Sequence, residues 1–139
     1  MSDKKPLVSI IMNCFNGEKY LLQSINSVLE QKYKNWELIF WDNKSTDNSK
    51  KIVKKFKNKK IKYFYSKFFY SLYKSRNLAI NKAKGKYVAF LDTDDLWKKD
   101  KLKHSIHYLI KNKLKICYTN HYLYFQKIKK NKKAINYKF

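Results

Sequence analysis

Runs of consecutive apolar residues, each of strand length, alternate along this chain with segments whose apolar positions recur every three or four residues. The first run, Val8-Ser9-Ile10-Ile11-Met12, is rich in β-branched residues and stops at polar Asn13. Trp36–Trp41, Ile61–Phe64 and Tyr87–Leu91 are three more, the first of them bounded by Asp42-Asn43 and the last running into Asp92-Thr93-Asp94-Asp95. Between them Leu21, Ile25, Val28 and Leu29 mark one face of a helix. Ser45-Thr46-Asp47 is expected to cap a second helix through Ile52, Val53 and Phe56. A third helix uses Leu72, Arg76, Ala79, Ile80 and Ala83, with Gly85 expected as its C-cap. A fourth uses Leu102, Ile106, Leu109 and Ile110, and a last strand is expected at Lys115–Thr119. Strands without polar alternation must be buried on both faces. The expectation is therefore an α/β fold with a mostly parallel central sheet covered by helices.

The chain has 139 residues, enough for one core, and 44% of them are hydrophobic, so disorder is excluded on composition. Cys14 and Cys117 stand far apart, which excludes a disulfide framework or a Cys-rich zinc site and suits a reducing compartment. The amino-terminal apolar run is too short for a signal peptide or a spanning helix. A cytoplasmic location, at the inner face of the cell membrane if membrane-associated, is the expectation.

Charge is lopsided: 33 basic residues face 10 acidic ones, and Arg76 is the single arginine. A reader of nucleic acid would favour arginine, whose planar guanidinium makes bidentate contacts. A vocabulary of Lys, Asn, Ile and Tyr reflects AT-rich codons, so the charge is mainly mutational, with attraction to anions as its physical consequence. The acids that remain are then informative. Asp92, Asp94 and Asp95 cluster, and none follows Asp100.

Ligands of parallel α/β sheets bind beyond the carboxyl ends of the strands, near a switch in strand order. Three polar clusters lie at such ends: Asn13–Asn16, Asp42–Asp47 and Asp92–Asp95. Crowded carboxylates repel one another, and Mg²⁺ or Mn²⁺, held by one or two carboxylates plus phosphate oxygens, would relieve that repulsion. The alternative is an acidic turn ahead of a helix. Asp42 and Asn43 suit hydrogen bonds to a base or ribose, although this loop also serves as a helix start. Phe15 could stack on a base or belong to the core, and Arg76 could grip a diphosphate or form a structural ion pair.

The segment PLVSIIMNCFNGEKYLLQSINSVLEQKYKNWELIFWDNKSTDNS resembles the opening of the family-2 glycosyltransferases, and SRNLAINKAKGKYVAFLDTDDLWKKDKL resembles their second signature, with its D-x-D. The resemblance runs from about Pro6 to about Leu109. It implies a Rossmann-like GT-A three-layer sandwich, with a donor-binding domain at 6–115 and a Lys/Tyr-rich segment at 116–139 that opens an acceptor half. It further implies transfer of a sugar from a nucleotide-diphosphate sugar, most readily a UDP-sugar, to a glycan or lipid-linked acceptor in cell-surface glycan synthesis, with inversion and Mn²⁺ or Mg²⁺. By position, Asn13, Phe15 and Asn16 line the nucleoside pocket and Asp42 and Asn43 lie beside the base. Arg76 approaches the phosphates, Asp92 contacts ribose or metal, and Asp94 is the main metal ligand. Asn43 stands where the family often has Asp, and Met12-Asn13-Cys14-Phe15 stands where it often has Pro-Thr-Tyr, which loosens the case for uridine. The catalytic base is expected beyond residue 139, since family members continue further and an inverting transfer needs a carboxylate to take the acceptor proton.

The residues leave two other classes open. One is a non-catalytic or degenerate nucleotide-binding domain. The other is a basic module for anionic surfaces, supported by Lys50–Lys62 and by the Lys- and Tyr-rich end of the chain, with acidic lipid as the partner ahead of nucleic acid. A sheet lacking its acceptor half is expected to leave apolar surface uncovered and so to self-associate.

Overall fold

The structure, a computed structural model, describes residues 5–125 and 130–133. Ten elements follow in order: β1 (Val8–Cys14), α1 (Glu18–Leu29), β2 (Trp36–Asp42), α2 (Ser49–Lys55), β3 (Ile61–Tyr65), α3 (Leu72–Ile80), β4 (Tyr87–Phe90), α4 (Lys101–Lys111), β5 (Tyr122–Phe125) and β6 (Lys130–Lys133). Backbone packing divides the chain into two units, the first ending at Leu102 and the second beginning at Lys103.

The first unit holds a four-stranded sheet in the order β3-β2-β1-β4. All of its pairings are parallel, with Val8 opposite Trp36, Leu38 opposite Ile61 and Val8 opposite Tyr87. Every residue of central β2 is buried, and every residue of β1 except half-buried Asn13. The outer strands are wetter, and β4 alternates half-buried and exposed positions. The long apolar runs of the sequence are thus the middle of the sheet, and the shorter ones its edges.

Parallel strands joined by right-handed crossovers place α1 and α2 on one face and α3, which returns from β3 to β4, on the other. Accordingly α1 packs against α2, while α3 crosses β1 and β2. Leu21, Ile25 and Val28 of α1 are fully buried, each contributing about 1.5–3 kcal/mol of hydrophobic stabilisation. On the opposite face Ile11, Ile39, Trp41 and Ala79 form a core that Phe64, Leu78 and Ile80 flank. Strand alternation sends Asn13 to this α3 face and Cys14 to the other.

Three local expectations are corrected. Helix α2 begins at Ser49 after Asn48, and neither Ser45 nor Thr46 caps it. Those residues instead join the loop after β1, as described below. Helix α3 ends at Asn81 in a right-handed conformation, so Gly85 is not its cap. Gly85 is needed for close approach: an added Cβ would lie 2.5 Å from the Ser9 nitrogen and 2.9 Å from the Leu7 oxygen. Both are backbone atoms of the neighbouring strand or its lead-in and cannot swing aside. Gly85→Ala should therefore cost about 2–3 kcal/mol by overpacking, read as a lower urea midpoint with unchanged slope. A loss under half a kcal/mol would show that β4 is free to shift.

In the second unit the expected strand at Lys115–Thr119 does not form, and β5 starts at Tyr122, pairing antiparallel with β6. Ile116 and Tyr118, the large apolar residues of that stretch, are exposed, so a strand there would leave its bulkiest side chains in solvent. Helix α4 closes ahead of it in a Schellman arrangement. The Leu114 amide donates to the Leu109 carbonyl at 2.9 Å and the Lys113 amide to the Ile110 carbonyl at 3.2 Å. Lys113, at φ 52°, occupies the left-handed position where glycine is usual. Among the described residues no helix is long and apolar enough to cross a membrane.

Candidate active site

The order β3-β2-β1-β4 reverses direction beside β1, so the crevice of such a sheet opens at the carboxyl end of that strand. A cavity of about 150 Å³ lies there. Asn13, Cys14 and Phe15 supply one wall, Asn43 the floor beside them, and Phe69, Tyr70, Leu72 and Ser75 the wall opposite. The Phe15 and Phe69 rings meet edge to face, 4.7 Å between centroids. Both remain more than half exposed, so they shape a mouth and are not core aromatics.

Two of the residues lining this apolar cavity carry buried polar groups without partners. The side-chain oxygen and nitrogen of Asn13 are buried and unbonded, and so is the Ser75 hydroxyl. A buried polar group left unpaired costs about 1–3 kcal/mol. Native proteins keep few of them, and they concentrate where a ligand completes the bonding. The sequence pointed to Asn13 and Phe15. It did not point to Ser75 or Phe69, which reach the cavity from α3 and the loop before it, and Leu72 is half exposed here and not a core position.

Asn43 lines the cavity, whereas Asp42 does not. The Asn43 amide nitrogen donates to the Tyr70 carbonyl at 2.8 Å, and its oxygen accepts from the Tyr70 amide at 3.1 Å. This pair fastens the β3–α3 loop to the end of β2. The Asp42 carboxylate is fully buried, accepting from the Ser45 amide at 2.7 Å and from the Tyr63 hydroxyl at 2.6 Å. Burial, then the bond to Asp42, raises the Tyr63 hydroxyl well above an ordinary phenol, so it stays a donor. Asp42 thus lies behind the cavity, holding its loop.

Asn16, at φ 52°, also works between loops. Asparagine tolerates this left-handed conformation better than most residues. Its side-chain oxygen accepts from the Thr46 amide at 2.8 Å, while its own amide donates to the Ser45 hydroxyl at 3.0 Å. The start of α1 and the start of α2 then cap each other. The Glu18 amide donates to Asp47 Oδ2 at 2.9 Å, and the Asn48 amide donates to Glu18 Oε2 at 2.8 Å. Burial pushes the Asp47 carboxyl up, but the bonds it accepts from Ser49 and Glu18 outweigh this and hold it below the ordinary carboxylate range. On the other side of β1 burial raises the Cys14 thiol, so it behaves as an unreactive small apolar group.

The acidic turn follows β4. Asp92 pairs with Arg76 from α3, Nη2 to Oδ1 at 2.7 Å, and the guanidinium lies 5.7 Å from the Phe90 ring. Thr93 abuts Gly17, whose added Cβ would meet the Thr93 hydroxyl at 3.2 Å, so this turn touches the loop after β1. Asp94 is exposed. Among the described residues no cluster of three or more His, Cys, Asp or Glu side chains could enclose a metal by itself. Asp92 and Asp94 offer hard carboxylate oxygens, and Mg²⁺ or Mn²⁺ needs only one or two of these when phosphate and water complete its shell. The donor set fits such an ion.

Comparison with known proteins agrees with this geometry. The profile described as "Glycosyl transferase family 2" matches residues 9–139. The Escherichia coli UDP-Glc:alpha-D-GlcNAc-diphosphoundecaprenol beta-1,3-glucosyltransferase WfgD is 40% identical over 115 residues, which are 83% of this chain and 46% of that protein. The putative teichuronic acid biosynthesis glycosyltransferase TuaG of Bacillus subtilis is 35% identical over 128 residues, 91% of this chain and 51% of that one. The chain thus spans about half the length of these relatives. The crystal structure of S. aureus TarS 1-349 in complex with UDP-GlcNAc superposes with a TM-score of 0.70 at 31% identity, over 75% of this chain and 31% of that one. The mannosyltransferase PcManGT from Pyrobaculum calidifontis, in complex with GDP-Man and Mn2+, shares the fold at TM-score 0.72 and 22% identity, over 77% of this chain and 33% of that one. The sheet is that of the amino-terminal part of the GT-A fold, and the chain belongs to glycosyl transferase family 2.

Proposed function

We propose that this chain holds the donor site of a glycosyltransferase that moves a sugar from a UDP-sugar to a lipid-linked acceptor, with inversion, during cell-surface glycan assembly at the cytoplasmic side of the membrane. The observation that carries the proposal is the unpartnered Asn13 amide inside an aromatic-mouthed cavity. A primary amide presents one donor and one acceptor side by side. The imide edge of uracil presents the complementary pair, a carbonyl oxygen and an N–H, and its ring would lie against the Phe15–Phe69 pair at the mouth. The Ser75 hydroxyl can bond the second carbonyl or the ribose. Support comes from relatives whose names specify UDP-glucose and a diphosphoundecaprenol acceptor, and from the UDP-GlcNAc complex of TarS.

From the base, the diphosphate would run toward Arg76 and Asp92. Asp94, with Asp92, would hold Mn²⁺ or Mg²⁺ there. The bound ion would supply Lewis-acid stabilisation of the charge left on the departing nucleoside diphosphate. Arg76, held by its 2.7 Å bond to Asp92, would contribute fixed positive charge to the same leaving group.

Calorimetric titration of UDP, GDP and CMP, with and without Mn²⁺, tests this on the native chain and on Asp94→Ala. UDP is expected to bind in preference to the others and at least ten-fold more tightly with Mn²⁺, and that gain should vanish in Asp94→Ala. A folded chain that binds none of the three nucleotides would overturn the proposal.

A further inference from the structure

Between Asp47 and Asp92 lie 44 residues without one acid, carrying thirteen lysines and Arg76. The loop after β3 and the first turn of α3, SKFFYSLYK at 66–74, lie inside this stretch and expose their largest apolar side chains. Phe68 is 65% exposed, Phe69 59% and Tyr73 80%, with Tyr65 and Leu72 about half exposed beside them. Soluble monomers scatter such residues singly, and a contiguous group marks an interaction surface. The group is also held in place. Ser66 Oγ donates to the Phe68 carbonyl at 2.6 Å, Asn43 clamps Tyr70 from both sides, and the Ser71 hydroxyl caps α3 through the Lys74 amide at 3.5 Å.

Lysines ring this surface. Lys74 Nζ sits 4.1 Å from the centre of the Tyr70 ring and Lys50 Nζ 5.7 Å from that of Tyr65, while Lys67 is exposed within the loop. The two cations of the stretch seen in ion pairs, Lys62 with Glu37 and Arg76 with Asp92, are satisfied by acids outside it. We propose that this loop is a membrane foot: Phe68, Phe69, Leu72 and Tyr73 enter the interfacial layer of an anionic bilayer while Lys50, Lys67 and Lys74 engage its headgroups. Aromatic side chains prefer that layer, and lysines near an anionic leaflet add to the attraction. Phe68, Phe69 and Leu72 carry no polar group with which to read a base, and the stretch contains a single arginine, which favours lipid over nucleic acid. The proposal rests on the lipid-linked acceptor reading and deepens it. Phe69 belongs to both surfaces, so the foot would hold the mouth of the donor cavity at the membrane.

The test is co-sedimentation of the full chain with vesicles of phosphatidylcholine alone or mixed equally with phosphatidylglycerol. The native chain should pellet with the anionic vesicles, and far less with the neutral ones or in 0.5 M NaCl. Phe68→Ser combined with Tyr73→Ser replaces no cavity-lining residue. It should lower the partition coefficient about ten-fold or more, and Lys67→Glu should also weaken it. UDP titration on the same proteins separates the two proposals. Lipid binding lost with UDP binding retained supports the foot, and lipid binding without any UDP binding supports the foot while refuting the donor site. Vesicle binding unchanged in both variants would overturn the proposal. So would binding of single-stranded DNA in place of vesicles, or a dimer by light scattering that the double variant abolishes in a chain ignoring lipid.

Discussion

Replacing Glu37 by alanine is expected to remove about 3 kcal/mol of stability, a large share of the roughly 5–15 kcal/mol that holds a domain folded. Glu37 is buried in β2, at the amino-terminal edge of the sheet and away from the candidate site. Its Oε1 accepts from the Ser9 hydroxyl at 2.6 Å and from the Lys84 amide at 2.7 Å, and its Oε2 from Lys62 Nζ at 2.5 Å. The carboxylate thus ties β1, β3 and the turn into β4 to the central strand. Alanine leaves the Lys84 amide without its closer acceptor and the partly exposed Lys62 without its counter-charge. Burial alone would raise the Glu37 carboxyl, but the bonds from Lys62, Ser9 and Lys84, with the charge of Lys62, prevail and lower it.

A carboxyl whose pKa is depressed on folding stabilises above its unfolded value, and the benefit disappears as pH falls through the folded one. Stability of the native chain should therefore fall on acidification below about pH 4.5, the ordinary glutamate value. Asp47, also depressed, contributes to the same slope. Urea unfolding at pH 7 and pH 3.5 checks both parts. Glu37→Ala should be much weaker at neutral pH and lose less than the native chain on acidification. Equal losses in the two proteins would remove Glu37 from the account.

The second large effect divides stability from binding. Asn13→Leu keeps the forked outline of the side chain, with somewhat greater bulk, and removes two buried polar atoms that have no partner in the free protein. Deleting an unsatisfied group in exchange for an apolar one of similar shape is neutral or stabilising. The variant should be as stable as the native chain or up to about 1 kcal/mol more stable. If Asn13 bonds a uracil edge, the same change should weaken UDP binding by roughly ten- to a hundred-fold, because the imide would be buried unpaired. Urea unfolding and UDP titration, run on one preparation, read the two quantities. A less stable variant with native affinity would make Asn13 a structural residue and leave the cavity without its recognising group.

Much of this molecule is legible from pattern alone, for reasons visible in single residues. Strand β1 and helix α1 declare themselves because a doubly covered strand is apolar throughout while a covered helix is apolar on one stripe, and no other arrangement of Val8–Met12 and Leu21–Leu29 buries both. Polar clusters at Asn13, Asp42 and Asp92 mark the strand ends, because a buried run must stop where the chain returns to solvent. Pattern misleads where one residue type serves several ends. Gly85 follows a helix, as a cap would, but its missing Cβ makes room for Ser9. Ser45 and Thr46 precede a helix, yet their hydrogen bonds go to Asp42 and Asn16. The stretch Lys115–Thr119 has strand form, but its large apolar side chains, Ile116 and Tyr118, stay exposed.

Sequence by itself determined the fold class, the order of its elements from β1 to α4, the family resemblance and the three loops that meet at the carboxyl ends of the strands. These depend on the spacing of apolar residues and on local chemistry, which a chain carries with it before folding. Only the tertiary structure decided which way each polar side chain in those loops turns. It buried Asp42 behind the cavity, fastened Asn43 to Tyr70, left Asn13 and Ser75 unpartnered on the lining of one cavity, and set Phe69 against Phe15. Such choices depend on which partners a side chain meets across the sheet, from residues as far away in the chain as Asn13 and Ser75, and no local pattern encodes that distance.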